Sequence, residues 1–467
     1  MHKIYPLVLC GGMGSRLWPM SRIDQPKQFQ RVGGTDSLTY FQTTVQRHRG
    51  PNFQDPIVVT NHRHTGLVQN QLADIQCGGL IISEPVARNT GPAVLAAALK
   101  ILNSDPAALL LMLPSDHIIF GDVNTTILAM AQAAAAGRIV TFGVTPGYAE
   151  TGYGYIVDGG GMAAYEGLHH VSRFVEKPDA QAAQALIDSG TAYWASGISL
   201  FSARQIALEF QRLEPKTYDD VTQAVAEATA DQSGITLEPQ AFRRARNEPT
   251  ERLIFERSPD VYLAPITVKW DDIGAWAAVY DVNPKCDDGN VKNGDVLTLD
   301  TTNSLIRSDG RLVVVVGMDD VIVVDTKDAL LVTNRAHAQK VKQVVEALKS
   351  GNRAEVVRHM YHSKPWGKVE DLISEAGYKL ELLTVRPGST AQINGHGVGA
   401  SFLSVVTGEG SYREDLVLPS HAIKLGAMLS IDKDTEVSLT NTQATDLQAL
   451  LLSTGPHGAQ NTLVNHE

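Results

Sequence analysis

The strongest constraint on the fold is an alternation that runs through the first 285 residues. Short apolar runs rich in branched side chains recur there: KIYPLVLC (3–10), PIVVT (56–60), LIIS (80–83), ALLLML (108–113) and RIVTFGV (138–144). Unbroken apolar runs of this length mark strands buried on both faces. Helical patterns lie between them. NTGPAVLAAALKIL (89–102) opens with Asn-Thr and an early proline and continues in alanine and leucine. NTTILAMAQAAAAG (124–137) starts similarly and stops at glycine. Strand and helix in this order imply right-handed crossovers and a mostly parallel sheet. The expectation is a doubly wound α/β domain over residues 1–285.

The period then changes. GDVLTLDTTNSLIRSDGRLVVVVGMDDVIVVDTKDALLVTN reads as short strands divided by Asp, Asn and Gly turns, and one helix follows, AHAQKVKQVVEALKSG. Residues 286–350 are expected to form a β-rich connector, with a left-handed β-helix as the form considered. From 351 to 467 the runs YKLELLTV, SFLSVV, GAMLSI, EVSLTN and LQALLLS recur at close spacing, which predicts a small all-β sandwich or barrel. A formal net charge of -11 argues against bulk attraction to nucleic acid or to an anionic membrane. An anionic substrate therefore needs a local basic site. Cys10, Cys77 and Cys286 form no CxxC pair, which suits a reducing compartment. The first apolar run is too short for a signal sequence, and no run approaches the roughly 18 residues of a membrane span. The expected location is cytoplasmic.

The first strand opens into LCGGMGSRLWPMSRIDQPKQF (9–29). Glycine N–H groups at Gly11, Gly12 and Gly14 can approach a phosphate closely, because no Cβ intervenes. The spacing fits neither the P-loop nor the GxGxxG dinucleotide loop. Arg16 and Lys27 supply positive charge instead, Arg as a bidentate grip and Lys as a point charge. A packing turn explains the glycines alone equally well. Asp116 follows ALLLML in PSDHII, and Asp271 and Asp272 follow VYLAPITVKW. Aspartates beside a triphosphate work through Mg²⁺, which takes one or two carboxylates plus phosphate oxygens. Taken singly, Asp116 reads as a cap and the second pair as a solvated turn. FVEKPD places Glu176 and Lys177 at a strand end, suited to sugar hydroxyls and a sugar phosphate, or to a surface ion pair. In ETGYGYI, Gly154 allows backbone to approach a sugar ring, or simply makes a hairpin turn.

Together these residues resemble a family. GGMGSRLWPMSR, QPKQF, SEPVARNTGPA, LPSDHII, FGVTPGYAETGYGYI, RFVEKPD, YWASGISLF and VKWDDIGAW occur in the order found in nucleotide-sugar-forming nucleotidyltransferases, most closely the GDP-mannose pyrophosphorylases (mannose-1-phosphate guanylyltransferases). The resemblance covers roughly residues 1–285 and extends through the connector. It implies a Rossmann-like nucleotide-diphospho-sugar transferase fold. It also implies the reaction GTP plus mannose 1-phosphate to GDP-mannose plus diphosphate, by in-line attack on the α-phosphorus with Mg²⁺, in a homodimer. Under it Arg16, Lys27 and Asp116 are catalytic, and Asp116 and Asp272 hold the metal. Gly11, Gly12, Gly14, Ser15, Glu84, Arg88 and Asn89 contact nucleotide, while Gly154, Glu176, Lys177 and Ser196 contact the sugar phosphate. The chain departs from the family pattern at Ala87, Ala195 and Glu251, where Gly, Asn and Asp are usual.

The C-terminal stretches SKPWG (363–367), VRPGS and VVTGEG resemble the cupin framework of type II phosphomannose isomerases. The metal-binding pattern of that framework is depleted here. His396 remains, but Asn394, Ser401, Phe402 and Val437 occupy its other positions. One histidine and an amide fall short of the three or four ligands a transition metal needs. The expectation is a cupin kept as structure. Three other readings stay open: a bifunctional enzyme with mannose-6-phosphate isomerase activity, a nucleotidyltransferase for another sugar 1-phosphate, and a non-catalytic nucleotide-sugar-binding subunit.

Overall fold

A computed structural model describes residues 2–12, 14–31, 33, 37–231, 234–364, 366–394, 399–414, 418–433 and 435–455. The chain forms two compact units. One comprises Met1–Gly14 and Pro26–Asn283, the other Ser15–Gln25 and Pro284–Glu467.

The first unit is built on an eleven-stranded sheet. Its parallel part runs Gly234–Thr236, Leu80–Glu84, Ile57–Asn61, Ile4–Cys10, Leu109–Pro114. Ile4–Cys10 pairs with both neighbours in parallel, Leu7 opposite Ile57 and Val8 opposite Leu113. Ala192–Ser202 is then inserted antiparallel between Leu109–Pro114 and Ile139–Val144, so the sheet is mixed. The apolar runs have a direct explanation. Leu109, Leu111 and Leu113 enter one buried cluster, and Leu110 and Met112 enter another on the opposite face. A strand covered on both sides has no polar face to show. Thr90–Leu102 buries every residue from Gly91 to Ala98. The helix expected over 124–137 is interrupted at Met130, giving Asn124–Ala129 and Ala131–Ala135.

In the second unit, Val291–Asn293, Leu305–Arg307 and Val321–Asp325 stack in parallel, as do Val296–Leu299 and Val313–Val316. Parallel partners this close in sequence are successive rungs of a coiled strand path, the pattern of a β-helix. Leu330–Asn334 closes the stack antiparallel and leads to the helix Val341–Ser350. The following strands form two antiparallel sheets of six and four strands around a core that includes Val385, Leu403, Val437 and Leu447. Val437 is thus a core residue, Ser401 is buried beside Ser453, and Asn394 and Phe402 are exposed. His396 lies outside the described residues.

One segment inside the range read as the first domain groups elsewhere. Ser15–Gln25 groups with the second unit, because Ile23 and Asp24 donate backbone hydrogen bonds to Val356 and Val357 at 3.1 and 2.9 Å.

Candidate active site

The carboxyl ends of two adjacent parallel strands, Ile4–Cys10 and Leu109–Pro114, place the glycine loop and Asp116 side by side. Gly11 and Gly12 are exposed there. Gln28 holds the loop from beneath, its amide nitrogen within 3.3 Å of the Cys10 carbonyl and 3.4 Å of the Gly12 carbonyl. Gly14 is required twice over. Its φ is +53°, and a Cβ there would stand 2.5 Å from the Cβ of Lys27. Lys27 is only 3 % exposed. Its ammonium donates to Asp116 Oδ2 at 3.0 Å and to the backbone carbonyl of Asp272.

Asp272 reaches this point through a two-stranded ribbon. Lys269–Asp271 pairs antiparallel with Ile118–Phe120, Asp271 opposite Ile118, so residues 116 and 272 meet at one end of it. Burial alone would raise the Asp116 carboxyl, but Lys27 and His117 more than offset it and hold the group below the usual carboxylate range. Tyr153 donates its hydroxyl to Asp272 Oδ1 at 3.2 Å. Its ring packs edge-on against Trp270 and Trp194, at 5.0 and 5.4 Å between centroids, and Tyr148 extends the cluster from Trp194. His117 meets Trp270 edge-on as well. The neighbouring carboxyl of Asp271 is raised by burial and caps the N–H of Ile273 at 2.6 Å.

On the sugar side of the sequence pattern, Gly154 lies directly opposite Glu176 across a strand pair. A Cβ on Gly154 would stand 2.9 Å from Glu176 Oε2 and 3.6 Å from the Ala195 methyl, which gathers these three residues. Glu176 and Lys177 form a largely exposed ion pair at 2.5 Å. Burial, with the Glu176 charge, also raises the carboxyl of Glu251. Ser196 corrects the expectation. It is fully buried, and its hydroxyl donates to the Phe142 carbonyl at 2.5 Å and accepts from the Ile198 N–H, so that hydroxyl is taken up within the sheet.

The residues assigned to nucleotide divide. Asn89 caps Thr90–Leu102 with φ +61°, its side chain accepting from the Thr90 N–H at 3.0 Å. Arg88 is half-buried and donates from Nε and Nη2 to the Arg243 carbonyl. Glu84 ends its strand in the interior, with Oε1 unpartnered among the described residues, and burial pushes its carboxyl up to about 8. Ser15 and Arg16 belong to the second unit, where exposed Arg16 donates to Gln339 Oε1 at 3.2 Å.

Residues 5–289 match the nucleotidyl transferase family, and residues 294–348 match a MannoseP isomerase/GMP-like beta-helix domain. The mannose-1-phosphate guanylyltransferase of Salmonella montevideo is 38% identical over 412 residues, 87% of this chain and 86% of that protein. The chain belongs to the mannose-1-phosphate guanylyltransferase family of nucleotidyl transferases. Within that family, the alginate biosynthesis protein AlgA of Pseudomonas aeruginosa is 36% identical over 406 residues, 86% of this chain and 84% of AlgA. A crystal structure titled mannose-1-phosphate geranyltransferase, from Thermus thermophilus, superposes with a TM-score of 0.64 at 27% identity, covering 74% of this chain and 99% of that one. The nucleotidyltransferase architecture and the β-helix segment are therefore those of the family.

Sequence reasoning missed Gln28, Tyr153, Trp194 and Trp270 as parts of the site. All four stood inside quoted motifs, in QPKQF, ETGYGYI, YWASGISLF and VKWDDIGAW. For Tyr153 and Trp270 the available signal was an aromatic beside a glycine or an acidic residue.

Proposed function

We propose that this chain makes GDP-mannose and diphosphate from GTP and mannose 1-phosphate. The observation that carries the reading is Lys27, an almost buried cation shared by the Asp116 carboxylate and the Asp272 backbone at the end of the glycine loop. A phosphate oxygen of the sugar phosphate attacks the α-phosphorus in line. The new P–O bond forms as the bond to the bridging oxygen of the β-phosphate breaks, and diphosphate leaves with that electron pair. No covalent enzyme intermediate is needed, so positioning and electrostatics supply the rate. The glycine N–H groups receive the triphosphate, with Arg16 and Lys27 balancing its charge. Glu84, Arg88 and Asn89 serve the nucleotide, and Gly154, Glu176 and Lys177 the sugar phosphate.

Asp116 and Asp272 suit Mg²⁺ in their chemistry: two hard carboxylates, the number the ion takes when phosphate oxygens and water complete its shell. Bound there, Mg²⁺ would offset charge on the phosphates. Tyr153 orients one of the two carboxylates. The reading also includes a homodimer in the cytoplasm. No helix among the described residues is long and apolar enough to cross a membrane.

Ala195, packed beside Gly154 and Glu176, favours testing other sugars as well. Diphosphate release measured across a panel of sugar 1-phosphates and nucleoside triphosphates tests the reading. Mannose 1-phosphate with GTP should give the highest kcat/KM. A higher value for another pair would reassign the substrate.

A further inference from the structure

The geometry points to Asp328 and His359 as positioning residues for Arg16, acting through the segment Trp18–Arg22. This inference rests on the guanylyltransferase reading, in which Arg16 meets the triphosphate.

Arg16 is exposed, and its side chain donates to Gln339. A long exposed arginine keeps a catalytic position only if its backbone is held. The chain immediately after it is held firmly, by residues more than 300 positions away. The Arg22 side chain is fully buried. Its Nε donates to the Pro19 carbonyl at 2.7 Å, its Nη2 to Asp328 Oδ1 at 2.8 Å, and its Nη1 to the Glu355 carbonyl. A buried guanidinium without partners is very costly, so this set of bonds leaves the residue little freedom. Trp18, also buried, donates from Nε1 to the same Glu355 carbonyl at 2.9 Å, and the guanidinium lies 5.7 Å from its ring centroid. His359 donates from Nε2 to the Met20 carbonyl at 2.9 Å. Its ring stacks on Tyr361 at 5.1 Å with 7° between planes. The backbone bonds from Ile23 and Asp24 to Val356 and Val357 complete the clamp.

Every one of these contacts lies within the second unit. The β-helix segment and the stretch after its helix therefore do more than extend the chain: they fix the conformation of the loop on which Arg16 is mounted. The chemistry at Arg16 depends on residues that meet no substrate.

The test uses the full chain. Asp328→Ala should lower kcat/KM for GTP at least tenfold and open the bond after Arg22 to trypsin. Arg16→Ala should lower turnover by at least as much. The double variant should then lose no more than Arg16→Ala alone, because a clamp without its arginine has nothing to position. Additive losses in the double variant would show a general structural role and overturn the inference. So would full activity in Asp328→Ala while Arg16→Ala is impaired, and that result would leave the guanylyltransferase reading intact. Full activity in Arg16→Ala would take Arg16 out of the chemistry and overturn the inference, again leaving the guanylyltransferase reading intact. If Asp328→Ala fails to fold, His359→Ala, which removes one hydrogen bond and the stack on Tyr361, is read in the same cycle.

Discussion

The ammonium of Lys27 stands 3.0 Å from the carboxylate of Asp116 and also donates to the carbonyl of Asp272. One cation thus joins the end of a sheet strand to the end of the ribbon that delivers the second aspartate. The pair is shielded on the lysine side and partly open on the aspartate side, 4 % against 32 % side-chain exposure. That asymmetry lets substrate reach the carboxylate while Lys27 stays fixed.

Lys27→Met should therefore separate folding from chemistry. Removing the ammonium leaves Asp116 without its counter-charge, a loss on the order of 1–3 kcal/mol for a partly buried group. Turnover should fall far more, roughly 10²–10³-fold, as when a preorganised electrostatic contact to a transition state is removed. Diphosphate-release kinetics and a urea melt measure the two effects. Undiminished kcat would remove Lys27 from the chemistry.

Asp272→Asn keeps the backbone carbonyl that Lys27 uses and the Tyr153 contact in neutral form, but removes a charge. The Mg²⁺ concentration for half-maximal rate should rise at least tenfold, with little change in thermal midpoint. An unchanged Mg²⁺ requirement would assign the metal elsewhere.

The glycine loop makes a contrast between neighbours. Gly14→Ala meets both a left-handed φ of +53° and a clash with Lys27 Cβ, so it should destabilise the fold by about 1–3 kcal/mol. A Cβ on Gly11 would meet nothing within 4 Å. Gly11→Ala should fold normally and lose activity, since its methyl would stand in the space reserved for phosphate. Equal stability of the two variants in chemical denaturation would contradict this account.

Glu84 sets a pH dependence. Its folded carboxyl is pushed up from 4.5 to about 8 by burial. A raised acid favours the neutral form, so its contribution is fully present below about 4.5 and is lost as the pH rises through about 8. Glu84→Gln should match the wild type in stability near pH 4 and exceed it at pH 8.5, by an amount on the order of a few kcal/mol. A constant difference across that range would mean that the carboxyl is not raised.

Much of this was legible in the sequence, for identifiable reasons. A strand buried on both faces must be apolar throughout, so Leu109–Leu113 announced the sheet. Gly14, required by its φ and by the close approach of Lys27, was visible as part of a glycine-rich turn after the first strand. The insertion of Ala192–Ser202 antiparallel was not legible, because its apolar pattern is the same in either direction. Ser196 misled for a related reason: a motif letter does not say whether a hydroxyl faces substrate or the neighbouring strand. The anchorage of Trp18 and Arg22 was invisible because their partners, Asp328 and Glu355, are separated from them by more than 300 residues.

The most direct test of the central claim is ³¹P NMR of the purified chain with GTP, mannose 1-phosphate and Mg²⁺. GDP-mannose and diphosphate should grow in equal amounts, and both should be lost in Asp116→Asn. GTP that binds yet yields no diphosphate with any sugar 1-phosphate would contradict it.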